Sequence, residues 1–120
     1  MTDREISEEE IRKADQYLKG YKTYRRFLQL DRYEKEFFGY EDPPEEVGGD
    51  VSMAGARMYA IRQFILNLPN SDEKLLLYYY YVRGESVERC GELLGISRAG
   101  AYRLKRRALI LAARRRGGAQ

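Results

Sequence analysis

The chain has 120 residues, enough for one domain or for a small domain with an appendage. Its 43% hydrophobic and 34% charged residues, with few prolines, favour a mostly helical protein. It has no histidine and a single cysteine, Cys90, which excludes histidine-based catalysis, a disulfide framework and a Cys/His zinc site within one chain. The acidic N-terminus has no apolar h-region, so we do not expect a signal peptide, and no window approaches the roughly 18 apolar residues of a membrane span. We therefore expect a cytoplasmic protein.

The net charge of +3 conceals opposite charges in the two halves of the chain. Residues 1–50 contain 14 acidic and 9 basic side chains, whereas residues 51–120 contain 5 acidic and 13 basic ones. From Leu93 to the end there are eight Lys or Arg and no carboxylate. A cationic cluster of this kind predicts a polyanionic partner, and the alternative is a solvated basic surface.

Residues 1–40 are predicted to be an N-terminal helical segment, in which residues 1–6 are frayed and a long helix starts at a capping box made by Ser7 and Glu10. Gly20 marks a point where this helix could kink. Apolar side chains recur at three- and four-residue steps and form a stripe of Ile11, Ala14, Leu18, Tyr21 and Leu28. This apolar stripe is expected to be buried, either against the rest of the same chain or against a second copy in a dimer.

Residues 41–51 are predicted to be an acidic linker, because paired prolines and paired glycines disfavour regular structure. The linker is either a solvated connector or a contact for a basic surface. A second helix is predicted from a cap at Ser52 through Leu68. Its broad apolar face is expected in the core and consists of Ala54, Met58, Tyr59, Ile61, Phe64, Ile65, Leu66 and Leu68.

The next predicted helix is capped by Ser71 and contains an apolar run, Leu75–Val82, with four consecutive tyrosines, Tyr78–Tyr81. Four successive residues point in every direction around a helix, so at least one tyrosine is expected to face outward. We interpret the run as a scaffold helix. The alternative is a platform that stacks single-stranded bases.

The segment Ser86–Arg107 has the pattern of two helices joined by a short turn. Ser86 is predicted to cap the first, and Gly95 to end it in the left-handed conformation. The first helix has an apolar stripe of Val87, Cys90, Leu93 and Leu94, and the second a stripe of Ala101, Leu104 and Ala108. Gly91 and Ala101 are small where the helices must approach closely. This pattern predicts a helix-turn-helix.

The other side of the second helix is polar and cationic, and such a helix fits the major groove of DNA. The expected DNA-binding residues are Ser97, Arg98, Ala99, Tyr102, Arg103, Lys105, Arg106 and Arg107. Ser97 is expected to cap the helix, whose free amides favour a phosphate. Arg103 is the expected guanine reader, and Ala99 the contact for a thymine methyl group. The neighbouring Leu109 and Ile110 are apolar and are expected to be buried against the N-terminal helix, a second subunit or RNA polymerase.

Four motifs in residues 66–112 resemble region 4 of bacterial sigma factors, which reads promoter DNA. They are Leu68-Pro69, Tyr81-Val82-Arg83-Gly84, Glu92-Leu93-Leu94-Gly95-Ile96-Ser97 and Arg107-Ala108-Leu109. The chain has no room for the other sigma regions, and its layout is similar to phage late-gene transcription regulators of the ArpU and RinA type. The resemblance implies that Arg98, Ala99, Tyr102 and Arg103 enter the groove.

The predicted protein is therefore all-α, with an N-terminal helical segment at 1–40, a linker at 41–51, a helix-turn-helix domain at 52–116 and a disordered tail at 117–120. Its expected function is sequence-specific binding of double-stranded DNA as a homodimeric transcription regulator, with RNA polymerase as a further partner. The alternatives are a DNA-packaging recognition protein resembling a terminase small subunit, and an adapter that binds RNA polymerase without DNA. An enzyme, a metal and a cofactor are not expected, because no phosphate-cradling glycine motif or convergent polar cluster is present.

Overall fold

The computed structural model describes residues 5–39 and 49–117, and within these ranges the chain is all-helical, with no strand. The α-helices are α1 (Glu8–Phe38), α2 (Gly49–Leu66), α3 (Asp72–Leu77), α4 (Val87–Leu94) and α5 (Arg98–Gly117), and a π-helical turn spans Tyr78–Val82. None of the helices in the described ranges is both long and apolar enough to cross a lipid bilayer.

Helix α1 begins at the predicted capping box. Ser7 Oγ accepts a hydrogen bond from the Glu10 amide at 3.1 Å, and the Glu10 carboxylate accepts one from the Ser7 amide at 3.4 Å. The helix then continues without a break through Gly20 to Phe38. The possible break at Gly20 is absent, and this glycine lies where α2 approaches closely, since an added Cβ would be 3.3 Å from Ile61 Cδ1.

Helices α1 and α2 form an antiparallel pair. Tyr17 packs edge-on against Phe64 with ring centroids 5.6 Å apart, and the Arg57 guanidinium lies 5.8 Å from the centroid of Tyr24. Residues closer to the C-terminus of α1 therefore contact residues closer to the N-terminus of α2. The predicted start of α2 at Ser52 is wrong, because the helix begins at Gly49, so that residues 49–51 of the predicted linker are helical. The rest of that linker, residues 41–48, lies outside the described residues. The predicted disordered tail at 117–120 is wrong at Gly117, which is the last residue of α5, and residues 118–120 lie outside the described residues.

Another face of α1 packs against α5. The Arg116 guanidinium lies 4.5 Å from the ring centroid of Tyr17, and Glu8 forms an ion pair with Arg106, so the two helices run in the same direction. The core contains most of the predicted α1 stripe together with the apolar end of α5, namely Ile11, Ala14, Leu18, Leu104, Ala108, Leu109, Ala112 and Ala113. The chain itself therefore buries Ile11, Ala14 and Leu18 of this stripe as well as Leu109, whereas Ile110 is half-buried and lines a cleft next to Glu73 of α3.

The apolar face of α2 is narrower than predicted. Ala54, Ile61 and Ile65 are buried, but Tyr59 and Leu66 are exposed. At about 100° per residue, Tyr59 lies about 200° from Ile61 around the axis and points away from α1. In α4, Leu93 is likewise exposed rather than buried. Each of these helices is covered on one side only.

The tyrosine run adopts a π-helical turn, which the sequence pattern did not predict. The Arg83 amide donates to the Tyr78 carbonyl five residues earlier, at 3.0 Å. Tyr81 is buried and its hydroxyl donates to Asp15 Oδ1 of α1 at 2.5 Å, while the other three tyrosines are half-buried. The expected outward-facing tyrosine is found only in part, because Tyr78, Tyr79 and Tyr80 each remain partly exposed while α1 and α2 pack against this turn.

Candidate nucleic-acid interface

Helices α4 and α5 are joined by three residues, Gly95 to Ser97, and capped as predicted. Ser86 Oγ accepts a hydrogen bond from the Arg89 amide at 3.0 Å at the start of α4, and Ser97 Oγ accepts one from the Gly100 amide at 3.0 Å at the start of α5. Gly95 ends α4 with a φ of 71°, in the left-handed region that suits glycine. The turn is therefore specified by local chemistry.

The two helices approach closely at Gly91. A Cβ added there would lie 3.1 Å from Ala101 Cβ and 3.2 Å from the carbonyl oxygen of Ile96. On the same side of α5, Ala101, Leu104 and Ala108 are almost completely buried, as the sequence predicted. This small, apolar back fixes α5 in position and determines which of its residues face outward.

The outward side of α5 carries the predicted site residues. Lys105 is half-buried, and the other seven are exposed, namely Ser97, Arg98, Ala99, Tyr102, Arg103, Arg106 and Arg107. Tyr102 is 47% exposed. Arg98, Ala99, Tyr102, Arg103 and Arg106 share one face of the helix. Lys105 and Arg107 lie on either side of it, toward the π-helical turn and toward α3.

Three carboxylates approach this surface. Glu88 accepts a hydrogen bond from the Tyr102 hydroxyl at 2.7 Å and lies 3.4 Å from Arg98 Nε. Glu8 pairs with Arg106, and Glu73 lies 3.4 Å from Arg107.

These contacts have modest energies. The hydrogen bond from Arg106 lowers the pKa of Glu8, and the hydrogen bond from Tyr102 lowers the pKa of Glu88. Solvent-exposed pairs of this kind contribute little stability. A phosphate can therefore replace these carboxylates as the partner of the cations without unfolding the helix.

Arg103 differs from its neighbours because its guanidinium has no hydrogen-bond or ion-pair partner within the part of the chain that the structure describes. It projects from the first half of α5, next to Gly100. A guanidinium offers five donors in a planar fork, and this one is available for an external acceptor.

The cationic surface extends from α5 toward α1. Lys105 Nζ lies 3.4 Å from the Tyr80 hydroxyl and 4.5 Å from the centroid of its ring. Tyr80 lines a groove of about 360 Å³ together with Lys19, Lys22, Thr23, Arg25, Arg26, Tyr81, Gly84 and Glu85. These α1 cations were not among the residues predicted to bind DNA. Their spacing of three to four residues within an acidic half was the signal that could have indicated a basic helix face.

Comparisons with protein-family models, curated proteins and solved structures gave no match. The chemistry of the surface itself indicates the kind of ligand that it can bind. A single exposed α-helix is narrow enough for the major groove of B-DNA, and arginine donors match both base edges and phosphates. Flanking lysines and arginines suit a backbone of phosphates on either side of that groove.

Proposed function

We propose that the chain is a sequence-specific double-stranded DNA-binding protein that regulates transcription, with α4 and α5 as its helix-turn-helix. One observation carries the proposal: the first half of α5 presents an exposed cationic face, and its buried alanine and leucine back holds that face outward. The second helix of such a motif reads the major groove. The regulatory role is supported by the resemblance of residues 66–112 to the promoter-reading region of sigma factors.

The residues of α5 divide into base contacts and phosphate contacts. Arg103, which has no partner in the described part of the chain, is assigned to a guanine, and Ala99 to a thymine methyl group. Arg98, Tyr102 and Arg106 complete the groove-facing set. The capped N-terminus at Ser97 favours a phosphate.

Lys105 and Arg107 lie beside the groove-facing set and are assigned to the DNA backbone. Each neutralised phosphate contributes about −0.9 to the slope of log affinity against log salt. Lys22 of α1 lines the groove beyond Tyr80 and provides a further cation for a phosphate on the same side as Lys105.

Selection of bound sequences from a random duplex pool tests the proposal, because a sequence reader returns a consensus. Arg103→Ala is then expected to weaken binding to that consensus by about 5- to 150-fold and to relax preference at one base pair. Arg115→Ala is the matched control, since Arg115 is an exposed arginine near the other end of α5 that also lacks a partner within the described residues. It is expected to cause a smaller loss that is equal on every duplex.

Two outcomes would contradict the proposal at different levels. If Arg103→Ala weakened every duplex equally, the assignment of Arg103 to a base would be wrong. If the chain retained no duplex at moderate salt, DNA binding itself would be rejected, and an adapter that contacts RNA polymerase would replace it.

A further inference from the structure

The second half of α1 has an exposed apolar stripe. Leu30 is 57% exposed, Tyr33 49% and Phe37 68%, and the Tyr33 and Phe37 rings pack together with centroids 4.6 Å apart. At about 100° per residue these three side chains lie within roughly 60° of the helix circumference. The residues that contact α2, such as Tyr24, lie roughly 80–140° away from Leu30. This distal α1 stripe is therefore a separate face.

An apolar stripe of this length on a charged helix indicates a partner surface. The distal α1 stripe is not the stripe that was a candidate dimer interface in the sequence. Ile11, Ala14 and Leu18 of that earlier stripe are buried within the same chain. The charges beside the distal stripe indicate what kind of partner it fits. Arg26 lies one turn before Leu30 and Glu34 one turn after it, and both are exposed. Neither has a partner among the described residues.

We propose that two copies of this chain associate through the distal α1 stripe in antiparallel orientation, with Leu30 near the two-fold axis. In this arrangement Arg26 of each copy faces Glu34 of the other copy. Phe27 and Tyr33, three residues on either side of Leu30, also face each other across the axis. A parallel pair would instead place like charges together. The stripe is thus self-complementary, as a two-fold interface requires.

The size and geometry of the stripe determine the expected strength. Arg26, Leu30 and Glu34 form one ridge at four-residue spacing, which can pack against the same ridge of a second helix. From Arg26 to Phe37 the helix rises by only about 17 Å. The interface therefore belongs to the small size class, and we expect a reversible dimer that forms in the micromolar range rather than an obligate one.

Sedimentation of the full chain without DNA, from about 1 μM to about 1 mM, tests the proposal. We expect a monomer–dimer equilibrium that Leu30→Glu weakens by at least about tenfold, since a charge would be buried at the axis. Because Leu30 is exposed in the monomer, circular dichroism should be unchanged. Tyr59→Glu is the matched control, since Tyr59 is 67% exposed on α2, and it should leave the equilibrium unchanged.

Charge exchange tests the orientation. Arg26→Glu and Glu34→Arg should each weaken the dimer by about two- to tenfold, and the double variant should restore it. A parallel pair would show no weakening in the single variants, because like charges already face each other there. A chain that stays monomeric, a dimer that tolerates Leu30→Glu, or a larger ring would overturn the proposal. The inference does not rest on DNA binding, and its failure would leave the assignment of α5 unaffected.

Discussion

Replacement of Gly91 by alanine tests how closely α4 and α5 approach. In a helix interior, replacing glycine by alanine by itself raises the free energy of unfolding by about 1 kcal/mol. At this site the new Cβ would lie 3.1 Å from Ala101 Cβ and 3.2 Å from the Ile96 carbonyl oxygen, and neither atom belongs to a flexible side-chain end. Overpacking of this kind costs about 1–3 kcal/mol. We therefore expect Gly91→Ala to lower the free energy of unfolding by about 1 kcal/mol.

Urea unfolding followed by circular dichroism measures this change, with Gly55→Ala as the matched control. Gly55 lies in the interior of α2, and a Cβ added there would meet no heavy atom within 4 Å, so alanine should stabilise by up to about 1 kcal/mol. The two substitutions are thus expected to have opposite signs. If Gly91→Ala stabilised as much as Gly55→Ala, the close approach of α4 and α5 would be refuted.

Three further predictions concern the polar contacts that fix the helices. Tyr81→Phe should lower the free energy of unfolding by about 1–3 kcal/mol, measured by urea unfolding, because Asp15 loses a hydrogen bond in a half-buried site. Burial, the largest single influence, raises the pKa of Asp15, but hydrogen bonds from Tyr81 and Lys19 and the charge of Lys19 outweigh it and lower the pKa overall. The stabilisation from Asp15 is therefore present above its unfolded pKa of about 3.9 and is lost as pH falls through the lower folded pKa. As pH falls through that range, the urea concentration at the unfolding midpoint should decrease more steeply for the wild-type chain than for Asp15→Asn. Ser97→Ala should lower the free energy of unfolding by about 1 kcal/mol through loss of the α5 cap, measured in the same way, and no loss would contradict a capping role.

The sequence predicted α4, the turn and the back of α5 well because these features depend on local chemistry. Ser86, Gly95 and Ser97 act on backbone groups within a few residues, and such interactions do not require knowledge of the rest of the fold. The burial of Ala101 and Leu104 follows from helical periodicity alone. The same argument placed the predicted site residues on the outward side of α5.

The features that the sequence did not predict depend on distant partners. Apolar residues occur on more than one side of α1, and periodicity cannot show which side the chain covers. The stripe of Ile11 and Leu18 meets α5 and the π-helical turn, whereas Leu30 and Phe37 lie beyond the reach of those elements. The π-helical turn itself places Tyr81 against Asp15, a contact between residues far apart in sequence. Tertiary packing therefore overrides the local pattern at both places.

Helix α1 connects the proposed DNA-reading face with the proposed dimer interface. Its first turn contacts Arg106 on α5 through Glu8, and Leu30 lies about 33 Å further along the helix at 1.5 Å per residue. An antiparallel pair centred on Leu30 would place the two Glu8–Arg106 contacts roughly 66 Å apart along the helix axis, which is close to two turns of B-DNA. Selected duplexes should then contain two half-sites with centres about 20 base pairs apart. Half-sites one turn apart would contradict pairing at Leu30 and retain the role of α5, because the spacing depends on α1 and the consensus within each half-site depends on α5.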